Sequence, residues 1–325
     1  MQDTVTPDQI REFTLRDGDV AVSLLNLGTI TRRWRVVGND GPVDIVLGYE
    51  DPAAYLNNPS FLGIIAGRVA NRIAAGQFQL EGKTHQIDVN EPPNTLHGGT
   101  QGLGTRLWAA EIDGPRSVQF TYHSPEGECG FPGAVDFAVE VVLDGPRLTY
   151  YMSAKPDRPT PINLAQHSYY NLVGAGEIGS HHLKIRANHV TPVDAAGIPS
   201  GALMSVDNTK FDLREGPALA DALAEGGLDH NYVLTQSDRP SAVLTGPNGL
   251  QLQMWTDQPG LQLYTSGGLA PLHKPLAGQD HQPNTAVCLE PQLHPDAINQ
   301  PGFPNCIATP DAPYHQVLTI EVAQT

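Results

Sequence analysis

Phe137-Ala-Val-Glu-Val-Val-Leu-Asp-Gly-Pro-Arg-Leu-Thr-Tyr-Tyr-Met152 decides the fold. Phe137, Val139, Val141 and Leu143 alternate with Ala138, Glu140 and Val142. Asp144-Gly145-Pro146 then turns the chain, and Leu148, Tyr150 and Met152 resume the alternation. A period of two belongs to a strand with one buried face, and a Gly-Pro turn between two such runs makes a hairpin. The signature recurs outward from this stretch. Val118, Phe120 and Tyr122 precede it in the same register, and Phe78-Leu80 and Ile87-Val89 flank Glu81-Gly82-Lys83. Leu250, Leu252 and Met254 follow the turn Pro247-Asn248-Gly249, and Leu318, Ile320 and Val322 close the chain. With 33 glycines and 28 prolines as punctuation, the pattern predicts an all-β protein, a sandwich or barrel. Pro217 to Glu225 is the one persuasive helical stretch, with a shorter candidate near Pro52 to Asn57. No linker, charged tract or fixed repeat interrupts the chain, so residues 1–325 are expected to form a single β domain.

Charge excludes several partner classes. The chain carries 35 acidic and 19 basic residues, a formal net charge of -16. Such a field repels DNA, RNA and anionic membrane surfaces, and disfavours a phosphorylated substrate. Met1 to Leu15 mixes Asp, Glu, Arg and Pro without an apolar stretch, which is not the pattern of a secretory signal, and no later run has transmembrane length. Cys129, Cys288 and Cys306 are an odd number with no C-x-x-C spacing. They point to ordinary thiols in a reducing compartment, hence the cytoplasm, rather than to disulfides or zinc.

The apolar run Thr285-Ala-Val-Cys-Leu-Glu-Pro-Gln-Leu-His294 reads as a buried strand that breaks at Pro291 and delivers Glu290 at its end. A carboxylate carried out of a core by a strand is fixed in place and partly desolvated, which suits a base. Other polar residues stand at strand ends or in three long irregular stretches, Pro92 to Thr105, Pro159 to Ala175 and Gly267 to Asn284; long loops in a compact β fold are usually functional. Asn71 and Arg72 together offer a fork of donors suited to sugar hydroxyls, whereas Arg68 reads as a surface residue pairing with acids. His97 opens His-Gly-Gly and is either a turn histidine or a pocket residue. His167 lies among amides, a hydroxyl and two tyrosines, and Asp229-His230-Asn231 begins a strand; each could equally be a satisfied internal network. His181, His182, His273, His281 and His315 lack metal-ligand spacing and are expected in loops or at the surface. A base, an imidazole and several hydrogen-bonding groups without a metal motif describe proton chemistry on a neutral, hydroxyl-rich molecule.

In chain order these motifs read Gly67-Arg-Val-Ala-Asn-Arg-Ile73, Asn94-Thr-Leu-His-Gly-Gly99, His167-Ser-Tyr-Tyr-Asn-Leu172, Asp229-His-Asn231, Gln258-Pro-Gly-Leu-Gln262, Leu289-Glu-Pro-Gln292 and His294-Pro-Asp-Ala-Ile-Asn-Gln-Pro301. The ordered series resembles the aldose 1-epimerase family, the galactose mutarotases, from about Asp17 to Val322. The resemblance implies a large antiparallel β-sandwich of the galactose mutarotase-like type. It implies interconversion of the α and β anomers of free aldohexoses, with Glu290 as catalytic base and His167 as catalytic acid. Asn71, Arg72, His97, Asp229 and Gln262 match positions that hydrogen-bond the sugar, and Tyr169 lies in a segment lining the same pocket. No cofactor and no metal are implied, the partner is a small sugar, and the expected state is a monomer or weak homodimer. The mechanism asks His167 to be cationic near neutrality, and nearby carboxylates are expected to raise its pKa. Departures from the family pattern are mild: Ala165-Gln166 before His167, Tyr170 where phenylalanine is common, and a bulky Leu62-Gly-Ile-Ile-Ala-Gly67. A hexose-phosphate epimerase would need more gathered basic residues. A sugar-binding protein would need no acid and base pair, and a glycoside hydrolase would need a second placed carboxylate.

Overall fold

The computed structural model describes residues 5–325, so residues 1–4 of the opening Met1–Leu15 stretch lie outside the described residues. The hairpin that opened the sequence reading is Val135–Asp144 paired with Arg147–Pro156, in register from Val135 opposite Pro156 to Asp144 opposite Arg147. It forms the middle of an eight-stranded sheet whose order is Ala109–Asp113, Ser117–Ser124, Val135–Asp144, Arg147–Pro156, Tyr314–Gln324, Leu250–Thr256, Ala242–Thr245 and His182–Ile185. A six-stranded sheet runs Tyr169–Tyr170, Val287–Gln292, Gly260–Tyr264, Asp229–Leu234, Ala187–Thr191 and Met204–Ser205. A four-stranded sheet, Glu12–Asp17 to Gly41–Asp44, packs Leu15, Trp34 and Val36 into the same interior. The named strands of these sheets pair antiparallel, and neighbours in sequence such as Val135–Asp144 and Arg147–Pro156 do so through a tight hairpin turn.

Apolar residues at alternate positions explain why the sheets stack. Phe137, Val139, Val141, Leu148, Tyr150, Met152, Leu318 and Ile320 from one sheet meet Val190, Tyr232, Leu261, Leu263, Val287 and Leu289 from the other in one buried cluster. Burial of each such side chain stabilises the fold by roughly 1.5–3 kcal/mol before entropy is counted. The six-stranded sheet has its other face free of this core, and the site is built there. Helix is almost absent. Pro217 to Glu225 yields only Ala220–Ala224, because Gly226 and Gly227 follow at φ of 91° and 78° and stop it, and Pro52–Leu56 is a single 3-10 turn.

The strand bearing Glu290 does not break at Pro291; it runs through Val287–Gln292. Its outer neighbour, Tyr169–Tyr170, pairs only with Cys288 and Val287, so past Cys288 that edge needs no ladder N–H. The Pro291 carbonyl is taken by Gln316 Nε2 at 2.9 Å. Among the described residues no helix is long and apolar enough to cross a membrane.

Candidate active site

Strand register assembles the centre of the site. Asn231 stands opposite Gln262, and Gln262 opposite Glu290; one step along, Asp229 faces Tyr264, Tyr264 faces Cys288 and Cys288 faces Tyr169. Side chains on neighbouring strands at opposed positions share a face. Because Leu261, Leu263, Val287 and Leu289 are spent on the core, period two sends Gln262, Tyr264 and Glu290 the other way. They line a cleft of about 190 Å³ together with Asn71, Arg72, Leu96, His97, His167, Tyr169, Asp229, Gly268 and the Pro59-Ser60-Phe61 segment. All eight residues singled out from sequence, Asn71, Arg72, His97, His167, Tyr169, Asp229, Gln262 and Glu290, therefore meet in one place.

His167 is held by main chain on both sides. Its N–H donates to the Ile64 carbonyl and its carbonyl accepts from the Gly63 N–H, each at 2.9 Å. Its ring stacks on Tyr169 with centroids 5.2 Å apart and meets His97 edge-on at the same separation. Nε2 lies 3.7 Å from Glu290 Oε2. Tyr169 in turn is anchored by its hydroxyl, which donates to the Ser60 carbonyl at 2.7 Å.

A second arm comes from the short paired strands Arg72–Ile73 and Thr95–Leu96. Next to them Asn71 and His97 bond to each other: His97 N–H donates to the Asn71 carbonyl at 2.9 Å, and Asn71 N–H donates to His97 Nδ1 at 3.2 Å. Nδ1 is thus an acceptor, so the neutral ring carries its proton on Nε2. Gly98 serves this arrangement, since at its φ of 86° a Cβ would stand 2.0 Å from the Gly67 carbonyl oxygen. Asn71 Oδ1 accepts from Arg72 N–H at 2.8 Å, which leaves its amide nitrogen for the cleft. Arg72 gives Nε and Nη2 to the two oxygens of Glu91 at 2.6 and 2.8 Å, so half of the fork expected for a ligand is already engaged. Gln262 Nε2 donates to Asp229 Oδ1 at 2.6 Å.

Electrostatics overturn one expectation. Burial pushes the Glu290 carboxyl well above its ordinary value, Asp229 adds to the rise, and Arg72 only partly opposes it. Burial pushes His167 down to about 4, instead of carboxylates raising it. The 3.7 Å approach is short enough for an ion pair, but loss of solvation on both sides is the larger effect. Both shifts favour the uncharged forms, a proton on the carboxyl and a neutral imidazole. His97 is also kept neutral, by burial first and then by His167 and Arg72. Glu290 Oε2, Gln262 Oε1 and His167 Nδ1 are buried without a hydrogen-bond partner in the protein, an arrangement that favours a polar ligand.

His97, His167 and Glu290 also present three ligand-type atoms within 4.8 Å of one another, a proximity the sequence spacing does not show. The His97 tautomer argues against their use as a metal site, because its cleft-facing nitrogen bears a proton.

Other expectations need correction. Arg68 is structural but not at the surface: it is buried and donates to Ser124 Oγ and to the carbonyls of Ser124, Pro125, Pro132 and Gly133. His181 and His281 lie in loops, as expected, but are buried rather than at the surface. His181 Nε2 accepts from Leu172 N–H at 3.2 Å, and His281 packs on Tyr49 at 5.4 Å. Asn231 turns from the cleft toward His294, 3.1 Å from its Nδ1. Phe61 and Tyr264 were missed. Tyr264 follows Gln262 by two in a strand, so period two could have found it. Phe61, with a φ of 55° in a loop, gave no signal.

Comparison with known proteins agrees with this arrangement. Residues 11–321 match the family model described as aldose 1-epimerase. The galactose mutarotase of Rattus norvegicus is 36% identical over 315 residues, covering 94% of this chain and 92% of that protein. The aldose 1-epimerase of Escherichia coli K12 is 32% identical over 322 residues with the same coverage. Among solved structures, the aldose epimerase homologue from C. elegans superposes with a TM-score of 0.92 at 28% identity, covering 97% of this chain and 99% of that one.

Proposed function

The chain belongs to the aldose 1-epimerase family, and from that premise we propose that it interconverts the α and β anomers of free aldohexoses by ring opening and reclosure between Glu290 and His167. The observation that carries this reading is the 3.7 Å approach of Glu290 Oε2 and His167 Nε2 at the floor of a cleft lined with hydrogen-bonding groups. The anomeric hydroxyl and the ring oxygen are bonded to the same carbon, so two groups this close can each address one of them.

In the reactive complex the single proton of the pair sits on His167. The anomeric O–H donates to the bare Glu290 carboxylate and the ring oxygen accepts from His167, supplying hydrogen bonds that the dry pair lacks. Glu290 takes the hydroxyl proton as His167 protonates the ring oxygen. The bond from the anomeric carbon to the ring oxygen breaks, and its electrons leave with that oxygen. The aldehyde forms. Rotation about the bond between the first two carbons presents the other carbonyl face, and reclosure returns one proton to each donor, so no net proton is consumed. Tyr169, whose hydroxyl burial raises well above its usual range, stays neutral and acts as a wall beneath His167. Asn71, Arg72, His97 Nε2–H, Asp229 and Gln262 orient the ring hydroxyls. The reading also includes a cytoplasmic location, with which the free thiols of Cys129, Cys288 and Cys306 agree, and a monomer or weak homodimer.

Polarimetry on freshly dissolved α-galactose and α-glucose tests it. The expected result is a decay to equilibrium faster than the spontaneous one and proportional to protein. A decay at the spontaneous rate for every aldohexose would remove the reading.

A further inference from the structure

A second recess of about 410 Å³ opens beside the cleft and shares Asn71, Arg72, Asp229 and Gln262 with it, but neither Glu290 nor His167. Its distinctive walls are the Glu91-Pro92-Pro93-Asn94 turn, the Asp194-to-Gly197 loop and His230. The turn is tied at both ends, Glu91 N–H to the Asn94 carbonyl at 3.1 Å and Asn94 N–H to the Glu91 carbonyl at 2.7 Å, so the Glu91 carboxylate projects from a stiff support. From there it clamps Arg72 through two hydrogen bonds. The guanidinium lies flat against Gly197, where an added Cβ would approach its Cζ to 2.9 Å.

The charges in this recess do not balance. Arg72 is its one arginine, and it is already neutralised by Glu91; Asp194 and Asp229 add two further carboxylates. His230 gives no compensation, because burial lowers it despite Asp229, and its Nδ1 accepts from Asp229 N–H. Lys210, whose charge reaches His230, is turned to the carbonyls of Glu225 and Gly227, 3.2 Å from each.

On the reading above, the ring oxygen lies at His167 and the anomeric carbon at Glu290. We orient the carbon on the other side of the ring oxygen, with its exocyclic substituent, along the run of contacts from His167 to His97, Asn71 and Arg72. That end of the sugar faces the recess. The geometry points to Glu91 as a specificity-determining residue that acts through Arg72: by occupying the one guanidinium able to fork onto an anion, it reserves the enzyme for sugars uncharged at the exocyclic carbon and turns away hexuronates. This inference rests on the proposed function and adds to it a basis for choosing substrate by charge.

Galactose and galacturonate differ only at that carbon, so the ratio of their kcat/KM values, measured polarimetrically above the spontaneous rates, reads the effect. In Glu91→Gln the ratio of galacturonate to galactose should rise about tenfold, the scale for one unit charge within about 10 Å near a protein surface. Glu91→Asp keeps the charge while altering the reach, and should leave the ratio near that of the unsubstituted protein. In the unsubstituted protein, raising the salt from about 0.01 to 1 M should improve galacturonate turnover selectively, since repulsion of an exposed substituent is screened. A ratio unchanged in Glu91→Gln, or raised equally in both variants, overturns the role of the Glu91 charge. Failure of the unsubstituted protein to speed galactose or glucose mutarotation strikes the underlying reading instead, and the two failures are told apart by the neutral sugars alone.

Discussion

The two faces of the strands Gly260–Tyr264 and Val287–Gln292 are made by alternate residues of the same ten or so positions, yet they obey opposite rules. On the inner face Leu261, Leu263, Val287 and Leu289 are each 0% exposed and belong to the main apolar cluster. On the outer face Gln262 and Glu290 are nearly as buried, at 4% and 2%, but each leaves a polar oxygen without a partner. The inner face lowers the free energy of folding. The outer face raises it, because a desolvated carboxyl and an unpaired amide oxygen each cost about 1–3 kcal/mol. Strand geometry lets both coexist: the apolar face fixes the backbone, and the backbone holds the unfavourable face where a substrate can complete it.

Glu290→Gln breaks the comparison most forcibly. It keeps the shape of the outer face and removes its base, so turnover should fall on the order of 10²–10⁴-fold with sugar binding largely retained. Stability should move the other way. A carboxyl whose folded pKa is raised contributes stability that is fully present below its unfolded value of about 4.3 and lost as pH rises through the folded value. The variant should therefore gain on the parent in denaturant melts as pH climbs above about 4.3. Equal turnover, or a stability difference that shrinks with rising pH, would dismiss Glu290 as a strained base.

Leu263→Ala is the converse test, one residue from Gln262 but on the inner face. A buried leucine truncated in a packed core loses about 2–5 kcal/mol of stability. Folded Leu263→Ala, assayed well below its melting temperature, should retain kcat within a few fold. A variant of near-normal stability would show that the inner face does not support the outer one as argued.

Much of this division could be read from the chain alone. The alternation of Leu261, Gln262, Leu263 and Tyr264 gives the two faces, and Glu290 stands out within Val-Cys-Leu-Glu-Pro-Gln because a lone carboxylate in an apolar run must either be paired or be used. What could not be read are the relations set by tertiary neighbours. Nothing local tells that Glu91 fills half of the Arg72 fork. Nothing local tells that Arg68 finds five acceptors inside the protein, or that His181 caps a buried N–H. Protonation was the largest miss: a histidine beside a glutamate suggests a raised pKa, but the sign depends on how much water both have lost, which only packing decides.

That sign predicts the pH profile. With burial placing His167 near 4 and Glu290 well above its usual range, the one-proton form of the pair is bounded on the acid side by a second proton on His167 and on the alkaline side by loss of the first. kcat/KM should fall as pH drops toward about 4 and fall again at a pH well above the ordinary carboxylate range, where the pair loses its proton; the apparent values belong to the pair. An acid limb centred between 6 and 7 would mean that His167 keeps an ordinary pKa and that the site is wetter than its burial implies. A smaller effect is expected from Asp229→Asn, which keeps the bond from Gln262 but removes a charge near the ring hydroxyls. KM should rise about tenfold with kcat little changed, and a loss confined to kcat would move Asp229 into the proton-transfer machinery.

The smallest expected effect is none. His97, His167 and Glu290 stand close enough to mimic a three-ligand metal centre on the outer face, and if they were one, the comparison between faces would need a third term, a cation repaying the desolvated carboxylate. The hydrogen bonding argues against it. Asn71 N–H occupies the lone pair of His97 Nδ1, so the nitrogen turned to the cleft carries a proton and has no lone pair to give; ligation would require breaking that bond or forming an imidazolate. Glu290, whose protonated form burial favours, would have to ionise as well, and ligand deprotonation makes any such affinity steeply pH-dependent. Dialysis against a strong chelator, followed by the galactose assay, should leave the rate within error of the untreated enzyme. A lost rate restored by adding back a divalent metal would show that the outer face is completed by an ion, and the proton inventory of the pair would have to be drawn again from that charge.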